Sequence, residues 1–469
     1  MNALLVVLTL LVSGGVIFVA PTQAPGALAI CAAITLPTVI ILARGGPERT
    51  FLLRLFVIGL LIRLMVGAVI YVGHFEEFFG GDANTYDTFG RALTAAWHGD
   101  IYQAAAYQNF VSSGAGAWGM LYLVAGVYEL IGRNMLAIQF INAAVGAATP
   151  AVIYYIAQHL FNNVRVARLA ALLTCFFPSL VLWSSQALKD GIIVLTLTLS
   201  ILATLRLMEK ISVRYVVGLA ACLLALLSLR FYIFYMMTAS VVGAFAIGMK
   251  SVSAQNLLGR FVAIAIIGLV FTWFGVINSA SKQLERYGNL EAVQRSRLDA
   301  SQSADSGFGK DVDVRTTEGA LTAIPMGVLY LLFAPFPWQL ASLRQSLTLP
   351  EMIVWWLSFP LLVLGLWFAI KHRLREVSPI VLFTTMLTLA YSLFQGNVGT
   401  AYRQRSQLLV FYFIFVAVGA VLLKERSEDQ RQQQQLAKQE LAELQAARTL
   451  ARGTGADHLP GQTALRESS

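Results

Sequence analysis

Charge is what this chain has least of. Only 13% of its 469 residues are charged and 57% are hydrophobic, where a soluble globular chain has about 25% and about 45–50%. That balance excludes soluble, secreted, disulfide-knit and nucleic-acid-binding classes and leaves a polytopic membrane protein. Cysteine is scarce too. Cys31, Cys175 and Cys222 lie in apolar runs and are odd in number. With no Cys-x-x-Cys or His-x-x-x-His spacing, neither a disulfide framework nor a metal site is expected. No Lys or Arg precedes the first apolar run, so residues 2–20 read as a retained span and not a cleaved signal. A nucleotide-cradling loop is missing: Gly307-Phe308-Gly309-Lys310 lacks the longer glycine spacing and the Ser or Thr after the Lys. No internal repeat is visible.

What remains is a series of long apolar runs. A membrane-crossing helix needs roughly 20 mostly apolar residues. Runs at 2–20, 25–43, 52–72, 134–158, 165–184, 187–207, 213–229, 231–249, 257–277, 350–370, 378–395 and 406–423 meet that need. Two more, 116–132 with Glu129 and 321–341 with Pro335 and Pro337, leave the count open between eleven and fourteen. The basic residues arbitrate. With twelve spans and both ends inside, the inner segments hold thirteen basic residues (Arg44, Arg49, Arg54, Arg165, Arg168, Arg206, Lys210, Arg214, Lys250, Arg260, Lys371, Arg373, Arg375) against three acids. The first long outer loop reverses this, with Arg91 and Arg133 against six acids.

The expected organisation is two additional spans in 1–50, a transmembrane catalytic domain over 51–423, and a polar cytoplasmic tail over 424–469. The outer loops are 73–133 and 278–349, with helices lying along the membrane surface. The tail holds seven basic and seven acidic residues, so the net charge of +9 belongs to the membrane part and reads as topology. Gln-rich after Leu423, the tail is expected to be helical, then disordered from Gly453. It offers a surface for a cytoplasmic partner.

With topology fixed, the informative residues are charges on the outer face near span ends, where ionisable groups line cavities or pair with ligands. Asp82 and Asp87 stand in Gly80-Gly81-Asp82-Ala83-Asn84-Thr85-Tyr86-Asp87. Either carboxylate could act as a general base, since it can accept a hydroxyl proton as a bond forms; it could equally be a helix-capping turn. Lys189-Asp190 opens the sixth span, Arg230 lies at an outer turn, and Tyr402-Arg403-Gln404-Arg405 precedes the last span. Guanidinium groups bind phosphate through paired hydrogen bonds and Lys adds a point charge, so Arg230, Arg403, Arg405 and Lys189 together suit a phosphate pocket. Lys189-Asp190 is open to a second reading as a self-neutralising pair. Arg63, inside the third span, needs a partner, with Glu76 or Glu77 as candidates. His74 and His98 read as structural. The aromatics Phe333, Phe336, Trp338, Trp355 and Trp356 read first as an interfacial belt.

The order of these pieces resembles the GT-C membrane glycosyltransferases, the group that includes protein O-mannosyltransferases and lipid A aminoarabinose transferases. The resemblance covers 52 to about 423. It rests on Asp82 with Tyr86 in the first large outer loop, and on 116–132 followed by Arg133. Phe177-Pro178-Ser179 leading to Trp183-Ser184-Ser185 and Lys189-Asp190, and the late Tyr402-Arg403-Gln404-Arg405, complete it. The chain departs from the family in its two extra N-terminal spans and in having no large soluble C-terminal domain. The resemblance implies an enzyme that moves a sugar from a polyprenyl phosphate or pyrophosphate carrier to a glycan, lipid or protein acceptor outside a bacterial cytoplasmic membrane. It implies Asp82 as base, Asp190 at the second acidic position and Arg403 with Arg405 on the carrier phosphate; Tyr86, Lys189, Arg230 and Tyr402 join them as substrate-binding candidates. No cofactor is called for, because the lipid-linked sugar is itself the donor; a divalent metal stays open. Two other classes remain: an O-antigen or exopolysaccharide polymerase or ligase, which would depend on an outer arginine more than on Asp82, and a lipid or polysaccharide transporter, which would place charges at the midplane of related halves.

Overall fold

The computed structural model describes residues 3–79, 81–112, 118–248, 268, 289–302, 307–309, 312–340 and 342–454. Most of the expected span at 257–277 lies outside the described residues, as do the start of the second outer loop and the tail beyond 454. Among the described residues the regular elements are helices, joined by one isolated bridge between Gly307 and Asn397. In chain order they are α1 Ala3–Val19, α2 Ala24–Ala43, α3 Arg49–Val72, α4 Glu76–Phe79, α5 Asp82–Trp97, α6 Ile101–Ser112, α7 Trp118–Ile131, α8 Met135–Phe161 and α9 Val164–Phe176. There follow α10 Pro178–Ser184, α11 Asp190–Glu209, α12 Val213–Leu229, α13 Phe231–Gly248, α14 Leu290–Gln302, α15 Thr317–Phe333, α16 Leu343–Phe394 and α17 Val398–Thr454.

The chain is an all-α polytopic membrane protein. Six of the described helices are long and apolar enough to cross a bilayer, and a seventh is the pair α9–α10, bent by 56°. Pro178 makes that bend: it opens α10 at a position where a missing N–H costs nothing. Five more apolar helices, α1, α7, α12, α13 and α15, are shorter. The ambiguous stretch 116–132 contains one of these shorter helices, α7, and 321–341 overlaps another, α15. The 52-residue α16 is two helices joined at Arg373, which leaves helical geometry at φ −138° and ψ 28°. That break falls between the runs expected at 350–370 and 378–395.

Asparagines punctuate the centre. Asn134 caps α8 by accepting from Ala137 N at 2.9 Å, α8 ends at Asn162 in the left-handed region, and Asn163 caps α9 by accepting from Arg165 N and Val166 N. The apolar window of α8 is 89% buried, surrounded by α2, α3, α9 and α11. By contrast α1, α2 and α16 turn large apolar side chains such as Phe18, Ile41, Leu357 and Trp367 outward, as lipid-facing helices do. α17 docks along α16 at a crossing where Gly365 meets Phe415 O and Gly419 meets Leu361 O, leaving no room for a Cβ on either glycine.

Candidate active site

A cavity of about 1020 Å³ opens between α3, α5, α9, α10, α16 and α17. Part of its wall is apolar, from Ile62 and Val66 of α3, Phe176 of α9, and Val181 and Leu182 of α10. Asp82, Arg230, Arg403, Tyr402 and Glu351 form a polar part of the same wall.

The two acids that matter most each sit in the first turn of a helix, where the backbone dipole favours a carboxylate. Asp82 opens α5 immediately after Gly81, whose φ of 70° suits a residue without a Cβ. Asp190 opens α11. Arg230 sits in extended backbone at the break between α12 and α13, and Arg403 lies in the second turn of α17. These four form an alternating run of charge. Arg403 donates from Nη1 to Asp82 at 2.6 Å, and from Nε and Nη2 to Asp190 Oδ2 at 2.8 and 2.5 Å. Arg230 donates to Asp190 Oδ1 at 3.3 Å and to the Tyr391 hydroxyl at 3.4 Å, and Tyr391 donates on to Gln407 at 2.6 Å.

Exposure separates the roles of the acids. The side chain of Asp190 is 1% exposed and doubly paired, whereas that of Asp82 is 48% exposed with Arg403 on one side. Lys189 adds a third cation, its Nζ 5.8 Å from the centre of the Tyr86 ring. Burial, with the Asp82 charge beside it, holds the Tyr86 phenol above its usual range, so it stays protonated. Arg403 also lies 5.7 Å from the centre of the Trp183 ring. The cavity wall carries Arg230, Arg344 and Arg403 against Asp82 and Glu351, an excess that suits one anionic group.

The structure brings Asp82, Tyr86, Lys189, Asp190, Arg230 and Arg403 together and leaves two candidates elsewhere. Asp87 is buried on the far side of α5. It accepts from the Tyr128 hydroxyl at 2.6 Å and from Arg133 Nη2 and Nε at 2.5 and 3.2 Å, tying α5 to the end of α7. Arg405 is buried under the end of α15. That helix ends at Phe333 because Pro335 and Pro337 follow, and its last carbonyls would be orphans. Side chains satisfy four in a row: Arg405 donates to Leu331 O at 2.6 Å and to Ala334 O, Trp355 to Leu332 O at 2.7 Å, and Trp356 to Phe333 O at 3.1 Å. The two tryptophans are thus carbonyl caps. Tyr402 lines the cavity and donates to Glu351 at 2.7 Å. Glu351 is a second carboxylate on the cavity wall, unremarked in the sequence because it stands at the edge of an apolar run.

Two further expectations resolve differently. Arg63 pairs with neither Glu76 nor Glu77; it donates to Ser184 Oγ at 2.8 Å and to the Gly59 and Cys175 carbonyls at 3.0 and 3.2 Å. His98 and Glu129, each odd in isolation, form a pair at 2.9 Å.

Residues 117–274 match the family model described as dolichyl-phosphate-mannose-protein mannosyltransferase. This stretch, about a third of the chain, is similar to a family of membrane glycosyltransferases of the GT-C type; it carries Lys189, Asp190 and Arg230, and Asp82 and Arg403 lie on either side of it. No curated protein matches the chain.

Proposed function

We propose that this protein is a GT-C transferase that takes a sugar from a polyprenyl-phosphate or polyprenyl-pyrophosphate carrier and delivers it to a glycan, lipid or protein acceptor outside a bacterial cytoplasmic membrane. The observation that carries the reading is the run Asp82–Arg403–Asp190–Arg230, which places Asp82, Arg403 and Arg230 on the wall of a cavity whose other walls, from α3, α9 and α10, are apolar. The apolar wall suits a polyprenyl chain, and the surplus positive charge suits its phosphate. Asp82 is the general base. When the carrier phosphate draws Arg403 away, the Asp82 carboxylate is free to accept the proton of the acceptor hydroxyl. The acceptor oxygen bonds to the anomeric carbon while the bond from that carbon to the phosphate oxygen breaks. The departing phosphate keeps the electron pair, stabilised by Arg403, Arg230 and Lys189. One direct displacement inverts the anomeric centre. The excess of basic residues on the inner loops supports cytoplasmic termini and a cavity open to the outer face. The exposed helix from Lys424 to Ala446 is the surface for a cytoplasmic partner.

The test uses protein in lipid with radiolabelled polyprenyl-phosphate sugars and native membrane glycans as acceptors. Transfer by wild type, lost in both Asp82→Asn and Arg403→Ala, is expected. Full activity in Asp82→Asn removes it from the base role, and loss in Arg403→Ala alone favours a polymerase-like enzyme. Movement of a lipid-linked sugar across the membrane without a covalent product would make the protein a transporter.

A further inference from the structure

Behind the charged run lies a second, small cavity of about 20 Å³, deep between α3, α8, α11 and α17. It is bordered by Arg63 on one side and Asp190 on another. The function proposed above uses Asp190 and leaves Arg63 unexplained. Arg63 is 1% exposed, and among the described residues no carboxylate stands within ion-pair reach of it. Its three hydrogen bonds run from Nε and Nη1. The two Nη2 protons are left without an oxygen acceptor among the described residues.

The hydroxyls around this space define what fits it. Thr149 donates to Val145 O, Thr174 to Ala170 O, Ser184 to Leu180 O and Ser406 to Arg403 O. Each has its proton committed to its own helix and offers lone pairs elsewhere. Trp183 borders the same space, and its Nε1 is buried with no partner among the described residues. An occupant must accept from nitrogen donors and donate to oxygen acceptors. A simple anion cannot donate, and a metal cation would face a guanidinium. Water does both, and the cavity exceeds the roughly 10–15 Å³ that one water needs. Glycines keep the space open: a Cβ on Gly146 would run into Ser184 and stand 3.0 Å from Arg63 Nε, and one on Gly191 would strike Asn142.

We propose that a water molecule in this cavity ties Arg63 to Asp190, making Arg63 a positioning residue for the carboxylate that holds Arg403 and Arg230. The positioning role rests on the carrier-binding reading above; the water does not.

X-ray footprinting of the full-length protein in nanodiscs, in water enriched in oxygen-18, tests it. Radicals born from bound water label the side chains they touch. Leu180, Val194 and Val410 line the small cavity and not the large one, and buried Ile193 lines neither. Label on the first three and none on Ile193 is expected; absence of label on the three overturns the proposal. Arg63→Met risks misfolding, so two milder variants carry the test. Gly146→Ala fills the space and should lose the label, while Thr149→Val keeps the shape, removes one acceptor and should reduce it. Label that persists unchanged in a folded Gly146→Ala protein also overturns the proposal. Affinity for polyprenyl phosphate, measured by calorimetry, should fall about two- to tenfold in Gly146→Ala, the range that one lost hydrogen bond spans. Unchanged affinity in that variant overturns the positioning role. Failure of wild type to bind polyprenyl phosphate at all would instead sink the carrier reading, with the labelling still deciding the water.

Discussion

Arg403 is the hinge of the charged run, and its removal has a calculable consequence. It supplies three charge-assisted hydrogen bonds, two to a carboxylate that is 1% exposed and one to a carboxylate that is 48% exposed. Removing one partner of a buried ion pair typically costs about 3–5 kcal/mol, because the other charge is left buried without compensation. Arg230 still donates to Asp190 at 3.3 Å, which offsets part of that loss, and Asp82 is hydrated enough to contribute little. We therefore expect Arg403→Leu to lower unfolding stability by about 2–3 kcal/mol. The double variant Arg403→Leu with Asp190→Asn should be no more stable, since losing the Asp190 charge strands the buried Arg230, whose ion pair among the described residues is with Asp190; it should also remain inactive in transfer. Equilibrium unfolding in lipid or mixed micelles, run as a double-variant cycle, measures the coupling. A double variant more stable than Arg403→Leu would refute the reasoning, as would an Arg403→Leu protein as stable as wild type.

Three further expectations follow from the geometry. Asp82→Asn should lower transfer by about 10²–10⁴-fold, the usual contribution of a general base. Carrier affinity, read by calorimetry, should hold or rise, because Arg403 is relieved of a competing acceptor. Asp87→Asn should weaken the α5–α7 tie and cost about 1–3 kcal/mol, while transfer per folded molecule stays near wild type; kinetics on the monodisperse fraction separate the two. Arg405→Met should uncap Leu331 and Ala334 together, costing about 2–4 kcal/mol. Amide exchange should speed up across 332–336 before it changes elsewhere.

The apolar runs were legible because hydropathy is a local property: the helices follow the runs, and even the break at Arg373 falls in a polar interval. Partnership across the bundle was not. Asp190 meets an arginine 213 residues later in the chain and Asp82 one 321 residues later, separations that no local pattern records. One grouping had a readable signal against it. Arg403 and Arg405 look like a pair, but residues two apart point to different faces of a helix, so only Arg403 reaches the cavity while Arg405 caps α15. Asp82 and Asp87 are five apart on α5 and are likewise turned away from each other. Glu351 carried a weaker signal, a lone acid opening an apolar run, easily taken for a boundary residue.

The same long separations set an order of events during biosynthesis. Asp190 is followed by Arg230 after only 40 residues, so its first counter-charge emerges almost with it. Arg403 arrives on α17, roughly ten to forty seconds later at ordinary rates of chain elongation. Through that interval Arg230 is the member of the run that escorts the buried carboxylate into the membrane, and Asp82 has no partner in the run. The charged centre is therefore closed by a helix made after all the other described ones, and a chain arrested before α17 holds the two acids without the cation that joins them.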